Sequence, residues 1–325
     1  NRWGWFPSIS GAWRISQEKF YKSNLINELK IRLEAGTTGN SGWSAGIYSP
    51  LSTSATPWGS GFLPNAYANP DLKWESTFTR NIGLNMGLFK SNLTLEFDYY
   101  IKNTDNLLMA AQLPWYMGSN GQGQVSAPTV NVGSMKNSGW GVTVNTTNMD
   151  RKSFRWETSL NLSSVKTQVT QLTSDSRFID RVSWWLNDWT QRTSVGNSPW
   201  LFRGYVEEGL FQTLDEIEKS AVPVDNNGNR LPTNEMQGIW VGDVKYKDIS
   251  GPGGKPDGKI TEDDLTYIGN PWPKLFGGLT NNFSYKNFDL SILITGTYGN
   301  DIYNYMFRNI TNPNNINLSR NLPVA

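Results

Sequence analysis

The chain contains neither cysteine nor histidine. Disulfides, thiolate catalysis, zinc centres built on Cys or His, and any Ser-His-Asp relay are therefore excluded. No run of about 18 apolar residues occurs, so no transmembrane helix is expected. Net charge is also lacking: 29 Lys and Arg against 28 Asp and Glu leave +1 over 325 residues. That balance gives no support for nucleic-acid binding. The mean hydropathy of −0.49 resembles that of a soluble protein. A membrane β-barrel reads the same way, because half of every strand is polar.

What is present is alternation. In "LTLEFDYYIK" (93–102), Leu93, Leu95, Phe97, Tyr99 and Ile101 oppose Thr94, Glu96, Asp98, Tyr100 and Lys102. Period two places the two sets on opposite faces of a strand. The split recurs. Leu29, Ile31, Leu33 and Ala35 oppose Lys30, Arg32 and Glu34, and Ile82, Leu84, Met86 and Leu88 oppose Asn81, Gly83, Asn85 and Gly87. Trp140, Val142 and Val144 oppose Gly141, Thr143 and Asn145. Phe154, Trp156, Thr158, Leu160 and Leu162 oppose Arg155, Glu157, Ser159 and Asn161. Phe288, Leu290, Ile292 and Ile294 oppose Asp289, Ser291, Leu293 and Thr295. Most of these segments approach the length of about 9–11 residues that a tilted strand needs to cross a bilayer.

Strands are predicted near 5–14, 28–36, 74–89, 92–108, 131–147, 153–170, 275–286 and 288–297. The links at 90–91, 148–152 and 286–287 are short; those at 37–73, 109–130 and 171–274 are long. The link 15–27 is intermediate and partly helical in pattern. Short and long links alternate, as the periplasmic turns and extracellular loops of an outer-membrane barrel do. Structureless links of more than about 20 residues are uncommon in compact soluble domains. The expectation is an all-β, antiparallel transmembrane β-barrel, with 171–274 as a long extracellular loop region. The alternative is a soluble or surface all-β carbohydrate-binding protein. Aromatics make up 13 % of the chain, with 15 Trp. Trp3, Trp5, Trp13, Trp74, Trp140 and Trp156 fall at or near strand ends, where barrels keep aromatic belts. The first residue is Asn1, not Met, and no closing strand with a terminal aromatic follows "GTYGNDIYNYMFRN". The chain, 1–325, therefore reads as the middle-to-late part of a larger barrel.

Ordered blocks then become informative: "RWGWFPSISGAWRIS" (2–16), "LKIRLEAGTTGN" (29–40), "NPDLKWEST" (69–77), "NIGLNMGLFKSNLTLEFDYYIKNTDNLL" (81–108), "NVGSMKNSGWGVTV" (131–144), "GYVEEGLFQTLDEI" (204–217), "GDVKYKDISG" (242–251) and "DGKITEDDLTYIGNPWP" (257–273). This set resembles the SusC/RagA family of TonB-dependent outer-membrane transporters. The resemblance implies a barrel of about 22 strands around an N-terminal plug domain that is not present in this segment. It also implies energy from TonB, a SusD-like surface lipoprotein as a lid, and an oligosaccharide or peptide as cargo.

Two loop sites are candidates. In "DISGPGGKPDGKITEDD" (248–264), Asp248, Ser250, Asp257, the Lys259 carbonyl and Asp264 offer the oxygens that calcium prefers, although residues 251–256 stand where the calcium-loop pattern has one residue. In "RVSWWLNDWTQR" (181–192), Trp184, Trp185 and Trp189 cluster with Asp188 and with the preceding Asp180. Aromatic faces with neighbouring carboxylates suit sugar rings, a protein lid, or packing of the loop on itself. Trp43, Trp58, Trp115 and Tyr116 occupy other long links with the same ambiguity. The charged residues of the polar faces are expected to pair with one another or with a plug. No carboxylate pair is placed to converge on one bond as a glycosidase requires; Glu207 and Glu208 are adjacent and so point apart.

Overall fold

The structure is a computed structural model, and it describes residues 3–41, 51–64, 67–111, 127–172, 178–183, 188–251 and 253–307. Eight strands form one antiparallel sheet: β1 (Ser8–Arg14), β2 (Ile26–Asn40), β3 (Glu75–Leu88), β4 (Leu93–Asp105), β5 (Ser134–Arg151), β6 (Phe154–Gln171), β7 (Leu275–Tyr285) and β8 (Phe288–Tyr298). Each strand pairs with the one before it and the one after it in the chain, so the sheet is an uninterrupted meander.

The register lines up the side chains that the alternation separates. One row reads Leu29, Met86, Leu95, Val144, Leu160, Leu279 and Ile294 across β2 to β8. The neighbouring row on the other face reads Lys30, Asn85, Glu96, Thr143, Asn161, Gly278 and Thr295. A register slip of one residue on any strand would exchange the two faces. The apolar face is bare: Leu33 is 57 % exposed, Ile82 48 % and Ile294 60 %. A soluble sheet would bury such a face under a second layer. A bilayer accepts it as it stands.

Tight turns close one end of the sheet. Phe89, Lys90 and Ser91 all take positive φ (52°, 60° and 64°) between β3 and β4. Asn27 holds this turn from β2, accepting from the Ser91 amide at 3.0 Å and donating to Ser91 Oγ at 2.6 Å. Lys286, also at positive φ, turns β7 into β8. A short 3-10 turn at Ile15–Gln17 stands in the intermediate link, as its pattern predicts. Several strands run beyond or short of their sequence signal. β2 continues to Asn40 on backbone pairing with β3 although apolar residues stop at Ala35. β4 ends at Asp105, where Asn106 adopts φ 57°. β5 reaches Arg151 because a bulge opposite Trp156 and Glu157 absorbs one extra residue.

The long links at the other end contain structure. Leu51–Thr56 pairs with Gly59–Pro64, and Leu108–Ala110 with Thr129–Asn131. By internal contacts the chain divides into two compact units. One holds the eight-stranded sheet; the other comprises 180–192, 200–272 and 300–325. The second unit has its own apolar centre of Phe211, Ile217 and Val222, with Ile239 packed against it. The helix α1 (Leu214–Lys219) supplies Ile217. Thr213 caps α1 by accepting from the Glu216 amide, and Asp215 and Glu216 in the first turn suit the positive end of the helix dipole.

Candidate functional site

The polar face of the sheet carries a bidentate ion pair. Arg32 Nη2 on β2 donates to both oxygens of Asp98 on β4, at 3.0 and 2.9 Å, across the intervening β3. Gly83 makes this possible, since a Cβ there would sit 2.6 Å from Asp98 Oδ1 and 2.7 Å from Arg32 Nη2. Asn85 accepts from Arg32 Nε at 2.7 Å, and Asn81 donates to Asp98 at 2.9 Å. Asn85 also donates to Glu96 at 3.1 Å. Arg155 pairs with Glu157 further along the face. Arg32, Glu34, Asp98, Arg155 and Glu157 thus pair among themselves, while Lys30, Glu96 and Lys102 take part in none of the ion pairs among the described residues. The face presents glycine, Thr, Ser and Asn around these pairs, which leaves it hydrophilic and shallow.

Residues 248–264 form a knot of carboxylates and backbone amides. Asp264 is fully buried; its Oδ1 accepts from the amides of Ile249 (2.8 Å) and Ser250 (3.1 Å), and its Oδ2 from that of Thr261 (2.8 Å). With Thr261 it forms a reciprocal capping box on the 3-10 turn Glu262–Asp264. Burial pushes its pKa up, but the three amides and the Asp248 side chain outweigh this, and the carboxyl lies below the ordinary aspartate range. Asp248 accepts from the amides of Asp257 (3.3 Å) and Gly258 (2.7 Å), and Asp257 from that of Lys259 (3.0 Å). Each carboxylate proposed for calcium therefore already faces N–H donors. Among the described residues, no group of three or more acidic side chains is arranged to hold a metal ion.

Two measurements follow. A depressed carboxyl pKa contributes stability that is complete above the unfolded value, near 4, and is lost as pH falls through the folded value. Proteolytic protection of this loop should thus hold from neutral pH to about 5 and fall in stronger acid. Asp264→Ala, which strands three amides, should cost about 1–3 kcal/mol at neutral pH. The second concerns the metal. If amides alone hold the loop, chelating Ca²⁺ leaves its protease resistance unchanged; a clear rise in resistance on adding Ca²⁺ would favour a bound ion.

The second unit also holds Arg192, which grips Asp180 through Nε (2.6 Å) and Nη2 (2.7 Å). This bond, opposed by burial, holds the guanidinium pKa above its usual value. Arg203 is lowered by burial and by neighbouring Arg192, while burial raises Tyr205, which lies against Tyr246 with ring centroids 5.2 Å apart. Sequence reasoning singled out neither Arg203 nor Tyr205; only the short strands Leu201–Gly204 and Thr266–Gly269 bring them near Glu262. Of the tryptophan cluster, Trp184 and Trp185 lie outside the described residues, as do Trp43, Trp115 and Tyr116. Asp188 and Trp189 open the strand Asp188–Ser194, and their side chains lie outside the described set as well. Trp58 is 94 % exposed in its hairpin. On the sheet, Trp156 stacks on Phe283 (5.6 Å) and Trp74 lies against Phe6 (5.5 Å).

Residues 1–299 match the TonB dependent receptor-like β-barrel family. The chain belongs to this family. Among its relatives, TonB-dependent receptor P26 of Formosa agariphila is 34 % identical over 95 % of this chain. TonB-dependent receptor SusC of Bacteroides thetaiotaomicron is 30 % identical over 93 %. The chain spans only 29 % and 28 % of those proteins. In fold it is similar to a solved chain of the RagAB peptide importer in its open-open state, with a TM-score of 0.69, 22 % identity, and coverage of 92 % of this chain and 29 % of that one. As a family member the protein resides in the bacterial outer membrane. The bare apolar face of β1 to β8 is its lipid face, and the Arg32–Asp98 face is its lumen face.

Proposed function

We propose that the chain supplies wall and loops to an importer of oligomeric nutrients, oligosaccharide or peptide, in the bacterial outer membrane. Energy would come from TonB, and a SusD-like lipoprotein would serve as its surface partner. The observation that carries this reading is the pairing of a bare apolar face with a hydrophilic one that holds the Arg32–Asp98 ion pair, in a chain that matches the receptor barrel along 1–299. SusC-like and RagA-like relatives support import over catalysis. The soluble carbohydrate-binding alternative is set aside, because its sheet would have to cover the face that Leu33, Ile82 and Ile294 leave open.

The test is to purify the full-length protein from detergent-solubilised outer membrane and identify what accompanies it by intact mass spectrometry. A lipoprotein partner with a retained glycan or peptide is the expected result. Release of a lone species without detergent would overturn the reading.

A further inference from the structure

Among the lipid-facing positions of β1 to β8, the cations Arg80, Lys136 and Lys166 collect near the long-loop end, whereas Arg151, paired with Phe154, stands at the short-turn end. The register aligns Arg80, Ile101, Ser138 and Lys166 in a single row across β3 to β6. Lys136, opposite Asn103, stands in the next row outward. All three side chains are exposed. None takes part in the ion pairs formed among the described residues. Asp105 faces the same way, one row beyond Lys136. Strands lie about 4.8 Å apart, so Arg80 and Lys166 are separated by about 14 Å.

Directly beside this row the lipid face is hollow. A groove of about 550 Å³ is lined by Ile9, Leu33, Ala35, Ile82, Tyr99 and Ile101, with Arg80 at its rim. Its floor is low because Gly11 stands opposite Leu33, and a Cβ on Gly11 would meet nothing within 4 Å. The Arg80 guanidinium lies 5.0 Å from the Phe78 ring centroid, level with the outer row rather than down in the groove.

We propose that this face is a specific site for a net-anionic phosphorylated lipid of the outer leaflet. An acyl chain fills the groove between β1 and β4, and the headgroup phosphates are met by Arg80 on one side and by Lys136 and Lys166 on the other. Charge complementarity selects the headgroup: unpaired cations at a membrane surface attract anionic lipid, and an apolar groove one row deeper receives its chain. The site depends on the barrel facing lipid and is indifferent to the cargo.

The experiment uses the full-length protein in detergent, titrated with bis-phosphorylated lipid A and read by native mass spectrometry. The wild type should keep a lipid adduct that phosphatidylethanolamine at equal concentration does not displace. Each cation removed should weaken retention about fivefold, so Arg80→Gln/Lys136→Gln/Lys166→Gln should lose it by on the order of a hundredfold. Gly11→Leu fills the groove and keeps the charges, and should also lower retention. Lys90→Gln/Lys286→Gln, at the short-turn end, should not. Heat-modifiable gel migration confirms that each variant is folded. Equal retention by wild type and the triple variant, or equal loss from the short-turn control, would overturn the proposal.

Discussion

Leu95→Arg in the full-length protein should sharply reduce the folded receptor recovered from the outer membrane. Leu95 sits on β4 between Met86 and Val144 in the middle of the apolar row that crosses seven strands. A guanidinium near mid-bilayer on the lipid face costs about 2–4 kcal/mol. Arg80 stands at the long-loop end, whereas Leu95 is the third residue of β4, so an arginine there recovers part of this cost only by reaching toward the short-turn end. The adjacent residue supplies the control. Glu96 faces the lumen and accepts one hydrogen bond from Asn85, which Gln can also accept, so Glu96→Gln should assemble normally. The measurement is the fraction of heat-modifiable protein in outer-membrane fractions. Equal tolerance of both changes would show that the facing assigned to β4 is wrong.

Phe211→Ala should loosen the second unit and leave the barrel wall intact. Phe211 is 1 % exposed and packs with Ile217 and Val222 in the apolar centre of that unit. Removing a buried Phe costs about 3–5 kcal/mol, and a centre this small has little with which to close the cavity. Its backbone also bonds Asp243 and Gly242, so the side chain anchors two segments at once. Limited proteolysis of the detergent-purified protein should show rapid cleavage within 200–272, with heat-modifiability retained. Wild-type resistance in that stretch would mean that the Phe211 cluster does not hold the unit together.

The wall strands were legible because two solvents impose a period that a sequence displays directly. "LTLEFDYYIK" alone contains most of β4 and both of its faces. What escaped reading depends on register or on distant contacts. Nothing local in "KIRLE" or "EFDYY" says that Arg32 will reach Asp98, since the pair exists only when Gly83 passes between them. The core of the second unit escaped for a related reason. Phe211, Ile217 and Val222 share no strand period and come from a strand end, a six-residue helix and a two-residue strand. The acidic stretch at 248–264 was legible as a cluster of oxygens, but its amide partners come from chain folding back on itself, and Asp264 works there as a cap. The cluster of Arg80, Lys136 and Lys166 was equally hidden: the three belong to separate strands and come to neighbouring rows only through pairing.

The meander of β1 to β8 has a consequence for how the wall is made. Every wall strand after β1 pairs with the wall strand that precedes it in the chain, so none waits for a wall strand synthesised later, even where a long link intervenes, as between β6 and β7. Closing each loop is then the main entropic cost of each step, and that cost rises only slowly with loop length. The long insertions between β2 and β3, and between β6 and β7, can therefore lengthen or diversify while the order of strand addition stays the same. Hairpins can join the growing edge one after another, each covering the exposed edge left by the last. An assembly machine that releases strands in chain order would need no information beyond that order.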